Sequence, residues 1–201
     1  MKRVAFIIPG YKFSPSQSEY QQIGSYFESI HIKPIYIEVK WDRTVITENL
    51  KAFLEIYKDT QADEKYILGF SFGAVIAFLA SSQVEFKAQI LCSLSPYFKE
   101  DLPKIKKWWA RFLGKRRFAD FYALEANKLV TNVRTPTFLL YGSDESYLVA
   151  ERAQETFNDL QTSKKIIPVL GVKHDISDKH YLNAINSVIN SLISKKTANF
   201  R

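Results

Sequence analysis

The chain has 201 residues, 46% of them hydrophobic and 14% aromatic, which suffices for one well-buried core, is too little for two ordinary domains, and carries no low-complexity run that would point to disorder. Its single cysteine, Cys92, excludes an intrachain disulfide and a zinc site built on cysteine clusters. The net charge of +7 invites a nucleic-acid or anionic-membrane reading, but nine basic residues against four acidic ones between Tyr97 and Lys128 hold +5 of it, so the excess belongs to one segment.

Met1-Lys2-Arg3 and the apolar run Val4 to Ile8 open like a signal peptide, yet Pro9-Gly10 cuts the run before it reaches the length such a segment needs. No apolar run reaches membrane-spanning length, so a soluble, cytoplasmic protein is expected. Val4 to Ile8 reads instead as a strand buried on both faces and stopped by the turn Pro9-Gly10-Tyr11. Apolar and aromatic residues at near-helical spacing predict a first helix over Ser18 to Ile30, with Ser16 or Ser18 as its cap. A strand over Ile35 to Val39 and a helix over Thr47 to Tyr57, capped by Thr47, come next.

Tyr66 to Gly69 is the third strand and Ala74 to Ser82 its following helix. Ala88 to Leu94, which contains Cys92, is the fourth strand, so that thiol is expected to be buried and structural. The basic, aromatic segment is predicted helical over Leu102 to Phe112 and again over Phe118 to Leu129. Thr137 to Tyr141 makes the fifth strand, Tyr147 to Leu160 a helix, and Lys164 to Leu170 a sixth strand whose Pro168 suggests a place at the sheet edge. His180 to Ile193 closes the pattern as an amphipathic helix, and the basic tail from Lys195 is expected to fray. Strands alternating with helices predict a mostly parallel sheet covered on both faces, whose chemistry lies at the carboxyl ends of its strands.

The stretch Gly69-Phe70-Ser71-Phe72-Gly73 lies at such an end. A strand that reverses into a helix within one residue leaves no room for flanking Cβ atoms, which is the reason for glycine at both Gly-x-Ser-x-Gly positions. Ser71 is thereby held in a strained conformation at a helix N-terminus, where a nucleophilic oxygen and unpaired N–H groups meet. A serine hydroxyl needs a base to take its proton and a carboxylate to orient that base. Of the three histidines, His31 ends the first helix at the wrong edge, and His180 starts the last helix as a surface or capping residue. His174 directly follows the sixth strand. The fifth strand ends Leu140-Tyr141-Gly142-Ser143-Asp144-Glu145, so Asp144 is the expected acid, with Glu145 beside it and Asp101 after the fourth strand as the competing carboxylates. The N–H of Phe72 and that of Tyr11 are the candidate donors to an oxyanion.

These motifs resemble those of a small single-domain α/β-hydrolase of the serine-esterase kind. The resemblance spans nearly the whole chain and rests on Gly69-Phe70-Ser71-Phe72-Gly73, on the Thr135-Pro136 strand ending Gly142-Ser143-Asp144, and on the loop Gly171-Val172-Lys173-His174. It implies a parallel six-stranded sheet without the family's usual first two strands. It also implies Ser71, Asp144 and His174 as nucleophile, acid and base, with no metal or cofactor. The usual His-Gly after the first strand here is Pro9-Gly10. Residues 97–128 fall where the family carries a lid or cap, and Trp108, Trp109 and Phe112 would line an acyl pocket beside Ser71.

The function expected from this constellation is hydrolysis of small carboxylic esters through an acyl-serine, with a small-molecule substrate and no nucleic acid. Thioesterase, lysophospholipase and peptidase activities would use the same machinery. The competing reading is a non-catalytic binding protein whose basic aromatic segment grips an anionic partner.

Overall fold

The computed structural model describes residues 1–193; the basic tail expected to fray lies outside them. Six strands form one sheet in the order β2-β1-β3-β4-β5-β6, every neighbouring pair parallel. They are β1 (Arg3–Ile8), β2 (Lys33–Tyr36), β3 (Glu64–Phe70), β4 (Ala88–Cys92), β5 (Thr137–Gly142) and β6 (Lys164–Val169). Pro168 lies on β6, an edge strand, where a missing N–H costs no ladder bond. β2 starts and stops earlier than its apolar pattern predicts, because its pairing with β1 ends at Ile7 opposite Tyr36, just before Pro9 turns the chain away.

Alternation along the strands divides the core in two. Val4, Phe6 and Ile8 of β1 join one cluster with α2 (Ile46–Asp59) and α3 (Phe72–Ser81). Ala5 and Ile7 face the other way, onto α1 (Ser18–Ser29) and the helix that closes the described chain (Lys179–Ser191). Neighbouring side chains on a strand point to opposite faces, so a continuous apolar run serves both layers. α3 is buried along its whole length, and the Phe6 and Phe53 rings meet edge to face at 5.3 Å on its side of the sheet.

The caps differ from expectation in two places. α1 starts from Gln17, without a side-chain cap, rather than from Ser16 or Ser18. α2 starts from Val45, whose N–H donates to the Glu48 carboxylate at 3.2 Å. Thr47 is instead drawn to Asp120, which accepts from its backbone N–H at 3.2 Å. The basic segment between β4 and β5 is broken into short pieces: a 3-10 turn (Leu102–Lys104), α4 (Lys107–Leu113), α5 (Lys115–Tyr122) and α6 (Ala126–Leu129). The first predicted helix breaks where Ile105 and Lys106 turn extended, with ψ of 130° and 137°, and Gly114, with φ at 82°, ends α4 and lets α5 begin at once. Beyond β5 come α7 (Tyr147–Asp159), capped by Ser146, and the closing helix α8 (Lys179–Ser191), capped by Asp178, whose carboxylate accepts from the His180 N–H at 2.7 Å. Among the described residues no helix is long and apolar enough to cross a membrane.

Candidate active site

β3 delivers Ser71 into a turn with φ 57° and ψ −118°, and α3 starts at the next residue. The Ser71 N–H donates to the Cys92 carbonyl at 2.9 Å, which ties the turn to β4. A Cβ on Gly69 would lie 2.3 Å from the Gly73 carbonyl oxygen, and one on Gly73 would lie 2.3 Å from that of Ile8. Glycine at both positions is thus a packing requirement of the reversal.

Ser71 Oγ is 2.9 Å from His174 Nε2, and His174 Nδ1 is 2.6 Å from Glu145 Oε2. Loops after β3, β5 and β6 therefore bring a hydroxyl, an imidazole and a carboxylate into one line at the carboxyl rim of the sheet. The carboxylate is Glu145 and not the expected Asp144. Asp144 is exposed; its N–H donates to the Val172 carbonyl at 3.0 Å and its Oδ1 accepts from Ser143 Oγ at 2.9 Å, which aims it away from the histidine. Glu145, one position on, folds back under the turn with its side chain 1% exposed. Its Oε1 accepts from the Gly142 N–H at 2.7 Å and from Ser93 Oγ at 2.5 Å. A buried carboxylate needs such donors, and here they leave its other oxygen directed at His174.

The remaining carboxylate candidate is committed elsewhere. Asp101 is buried against Arg152, which reaches it through Nε and Nη2, the Nε contacts being 3.0 and 3.1 Å. His31 lies at the end of α1 with φ 60°, and the side chain of His180 is largely exposed, with Nδ1 3.2 Å from Asp178 Oδ1. Neither contacts Ser71.

Two serines beside the line were not anticipated. Ser95 Oγ, on a side chain that is 3% exposed as a residue, lies 3.2 Å from Ser71 Oγ. Ser93 has φ 49°, and its Oγ lies 2.8 Å from the Tyr181 hydroxyl as well as reaching Glu145. Both follow β4 at the carboxyl rim, so the same strand-end rule that selected Ser71 and His174 would have included them.

Two N–H groups face no protein acceptor among the described residues. That of Phe72 opens α3 and has no intrahelical partner. That of Tyr11 is also unbonded; it follows Gly10, whose N–H donates to Tyr20 Oη at 3.0 Å and whose carbonyl accepts from the Phe13 N–H at 3.0 Å. Phe72, Tyr11, Ser71 and His174 all line a cavity of about 600 Å³. Trp108 and Trp109 form part of its wall, and Trp109 Nε1 donates to the Tyr97 hydroxyl at 2.6 Å. Burial pushes that Tyr97 hydroxyl up to about 12. Phe112, expected in the same wall, is not there: it is 54% exposed and stacks on Trp109 at 4.8 Å between ring centres. On the short helix α4 it lies one turn beyond Trp108 and Trp109 on the same face, at the end next to Gly114. Cys92 is fully buried, and burial raises its thiol above the ordinary range, as a structural cysteine requires. Among the described residues no group of histidine, cysteine, aspartate or glutamate side chains is arranged to hold a metal ion.

Six parallel strands in this order, with a serine on the turn between the third strand and its helix, define the α/β-hydrolase fold. Solved structures agree. The chain is similar to Est1E from Butyrivibrio proteoclasticus, with a TM-score of 0.80 at 15% identity over 96% of this chain and 89% of that one. It is similar to the mouse α/β-hydrolase domain-containing protein 10, at 0.74 and 13% over 96% and 90%. It also resembles the esterase Pf2001 of Pyrococcus furiosus, at 0.71 and 15% over 95% and 82%. No protein-family model and no curated protein matches the sequence.

Proposed function

We propose that this protein is a serine hydrolase that cleaves small carboxylic esters through an acyl-serine intermediate, with Ser71 as nucleophile, His174 as base and Glu145 as the acid that orients it. The reading is carried by one observation, the pair of hydrogen bonds that runs from Ser71 Oγ through His174 to Glu145 at the wall of an apolar cavity. Est1E is described with ferulic acid bound and another similar structure as a dienelactone hydrolase, which supports carboxylic acyl chemistry without choosing a substrate.

In this mechanism Ser71 Oγ attacks the ester carbonyl carbon while His174 Nε2 takes the hydroxyl proton. The carbonyl electrons move onto oxygen, where the N–H groups of Phe72 and Tyr11 receive the charge. The intermediate collapses as its C–O bond to the alcohol breaks, and His174 gives its proton to the departing oxygen. Water then enters, loses a proton to His174 and attacks the acyl carbon, releasing the acid and restoring Ser71. Buried Glu145 stabilises the imidazolium in both halves and keeps its Nδ1 protonated, so that Nε2 is free to accept. Residues 97–128 act as a cap over the acyl site through Tyr97, Trp108 and Trp109.

The test is a series of p-nitrophenyl esters of rising chain length, combined with fluorophosphonate labelling. Wild type is expected to turn over the short members and to label at Ser71. Activity that survives Ser71→Ala, or a label that still attaches to that variant, overturns the assignment.

A further inference from the structure

A second depression, of about 650 Å³, opens on the other side of Tyr11. One wall is Trp41 to Thr44, in the connection from β2 to α2, and the opposite wall is Leu113 to Arg117, where α4 gives way to α5. Lys12, Arg43, Lys115, Arg116 and Arg117 line it, against one lining carboxylate, Asp42. Only part of this charge is neutralised. Arg116 pairs with Glu48, and Arg43 and Asp42 approach no closer than 3.9 Å with both side chains 92% exposed. Lys12, Lys115 and Arg117 have no carboxylate partner among the described residues.

Arg117 is the most telling of these. It is half-buried, and its guanidinium donates to neutral oxygens: Nε to the Thr44 carbonyl at 3.1 Å, Nη1 to the Tyr11 hydroxyl at 3.0 Å, and Nη2 to the Trp41 carbonyl. Dipoles orient the group without cancelling its charge, and N–H groups on both terminal nitrogens stay unspent. α5 also places Lys115, Arg116 and Arg117 in its first turn with no acidic residue among them. The helix dipole disfavours cations there, so the arrangement costs stability unless an anion is received. Trp41, only 9% exposed and part of the same wall, leaves its indole N–H without a partner.

Tyr11 belongs to both spaces. Its ring lies 5.2 Å from that of Phe72 on the catalytic side, and the Arg117 guanidinium carbon lies 5.0 Å from its centre on the other. We propose that this basic groove holds a phosphate group on the alcohol portion of the ester that Ser71 attacks. The substrate class is then acyl esters whose leaving group carries phosphate, lying across Tyr11 with the carbonyl at Ser71 and the phosphate between Lys12, Lys115 and Arg117. The inference about the substrate rests on the serine-hydrolase reading; the anion site itself does not.

Two measurements separate them. Pyrophosphate is titrated calorimetrically into Ser71→Ala at about 0.15 M salt, where a loose surface attraction is screened. Binding is expected, and about tenfold weaker binding in a background that also carries Lys12→Gln and Lys115→Gln, both exposed positions where folding is not at stake. Arg117→Gln is expected to do the same if it folds. No binding, or binding that ignores the two lysines, overturns the site. In wild type, a butyrate ester of glycerol phosphate is compared with the same ester of glycerol, and kcat/KM is expected to favour the phosphorylated one about tenfold, a preference that falls toward one in the lysine double variant. Equal values overturn the substrate class. Sedimentation with anionic phospholipid vesicles tells the source: binding that depends on the two lysines assigns the phosphate to a lipid headgroup, and its absence alongside pyrophosphate binding assigns it to a soluble ester. If Ser71→Ala keeps full esterase activity, the hydrolase reading falls while the pyrophosphate titration still reports on the groove.

Discussion

Glu145 contacts His174 with one carboxylate oxygen at 2.6 Å and spends the other on Gly142 and Ser93. Because the second oxygen is fully engaged, the carboxylate cannot rotate away from the imidazole without losing two charge-assisted hydrogen bonds. Asp144, its neighbour, points into solvent.

Glu145→Gln is therefore expected to lower kcat for a p-nitrophenyl ester by about 10³-fold or more, since an amide neither stabilises the imidazolium nor enforces the tautomer. Asp144→Asn is expected to stay within about twofold of wild type, as surface substitutions do. Steady-state kinetics on the two variants decide between neighbouring carboxylates.

Gly73 is a packing requirement. Its Cβ would fall 2.3 Å from the Ile8 oxygen and 2.5 Å from that of Pro9, and both are backbone atoms that no side-chain rotation moves. Gly73→Ala is expected to lose about 3 kcal/mol or to accumulate unfolded, as overpacking of a tight core does. Urea unfolding monitored by tryptophan fluorescence measures it.

Asp101 and Arg152 are both 3% exposed as side chains, and Arg152 also reaches Glu155 at 2.8 Å. Arg152→Met strands a buried carboxylate and is expected to cost about 3 to 5 kcal/mol, whereas Asp101→Asn combined with Arg152→Met recovers part of that loss. A double-mutant cycle in urea gives the coupling.

Trp109 walls the cavity beside Ser71 and Phe112 only backs it from outside. Trp109→Ala is expected to move the chain-length optimum of the ester series toward longer acyl groups, because the indole volume is returned to the cavity. Phe112→Ala is expected to leave that optimum in place. Rates across the p-nitrophenyl series read both.

The elements that were legible in the sequence are those governed by short-range rules. Apolar runs such as Val4 to Ile8 and Tyr66 to Gly69 cannot be satisfied except between two layers of helices, so the parallel sheet follows from them. Ser71 between two glycines at a strand end, and His174 immediately after another strand, follow from the rule that such sheets present their chemistry at one rim. Cap residues were less legible. Whether Thr47 caps α2 depends on Asp120, a residue on another helix that competes for it.

What only the tertiary structure decided is which side chain of a short turn faces inward. Asp144 and Glu145 are one residue apart and carry the same charge, and the choice was made by hydrogen bonds to them, most from outside the turn. Val172 holds the Asp144 backbone, and Ser93 and the turn's own Gly142 N–H draw Glu145 under it. Phe112 likewise lies at the end of α4, two residues before the break at Gly114, and is left exposed there. Sequence pattern determines which rim carries the chemistry because burial is averaged over many residues. A single hydrogen bond between distant loops is not averaged, and so the partner of His174 emerged only from the fold.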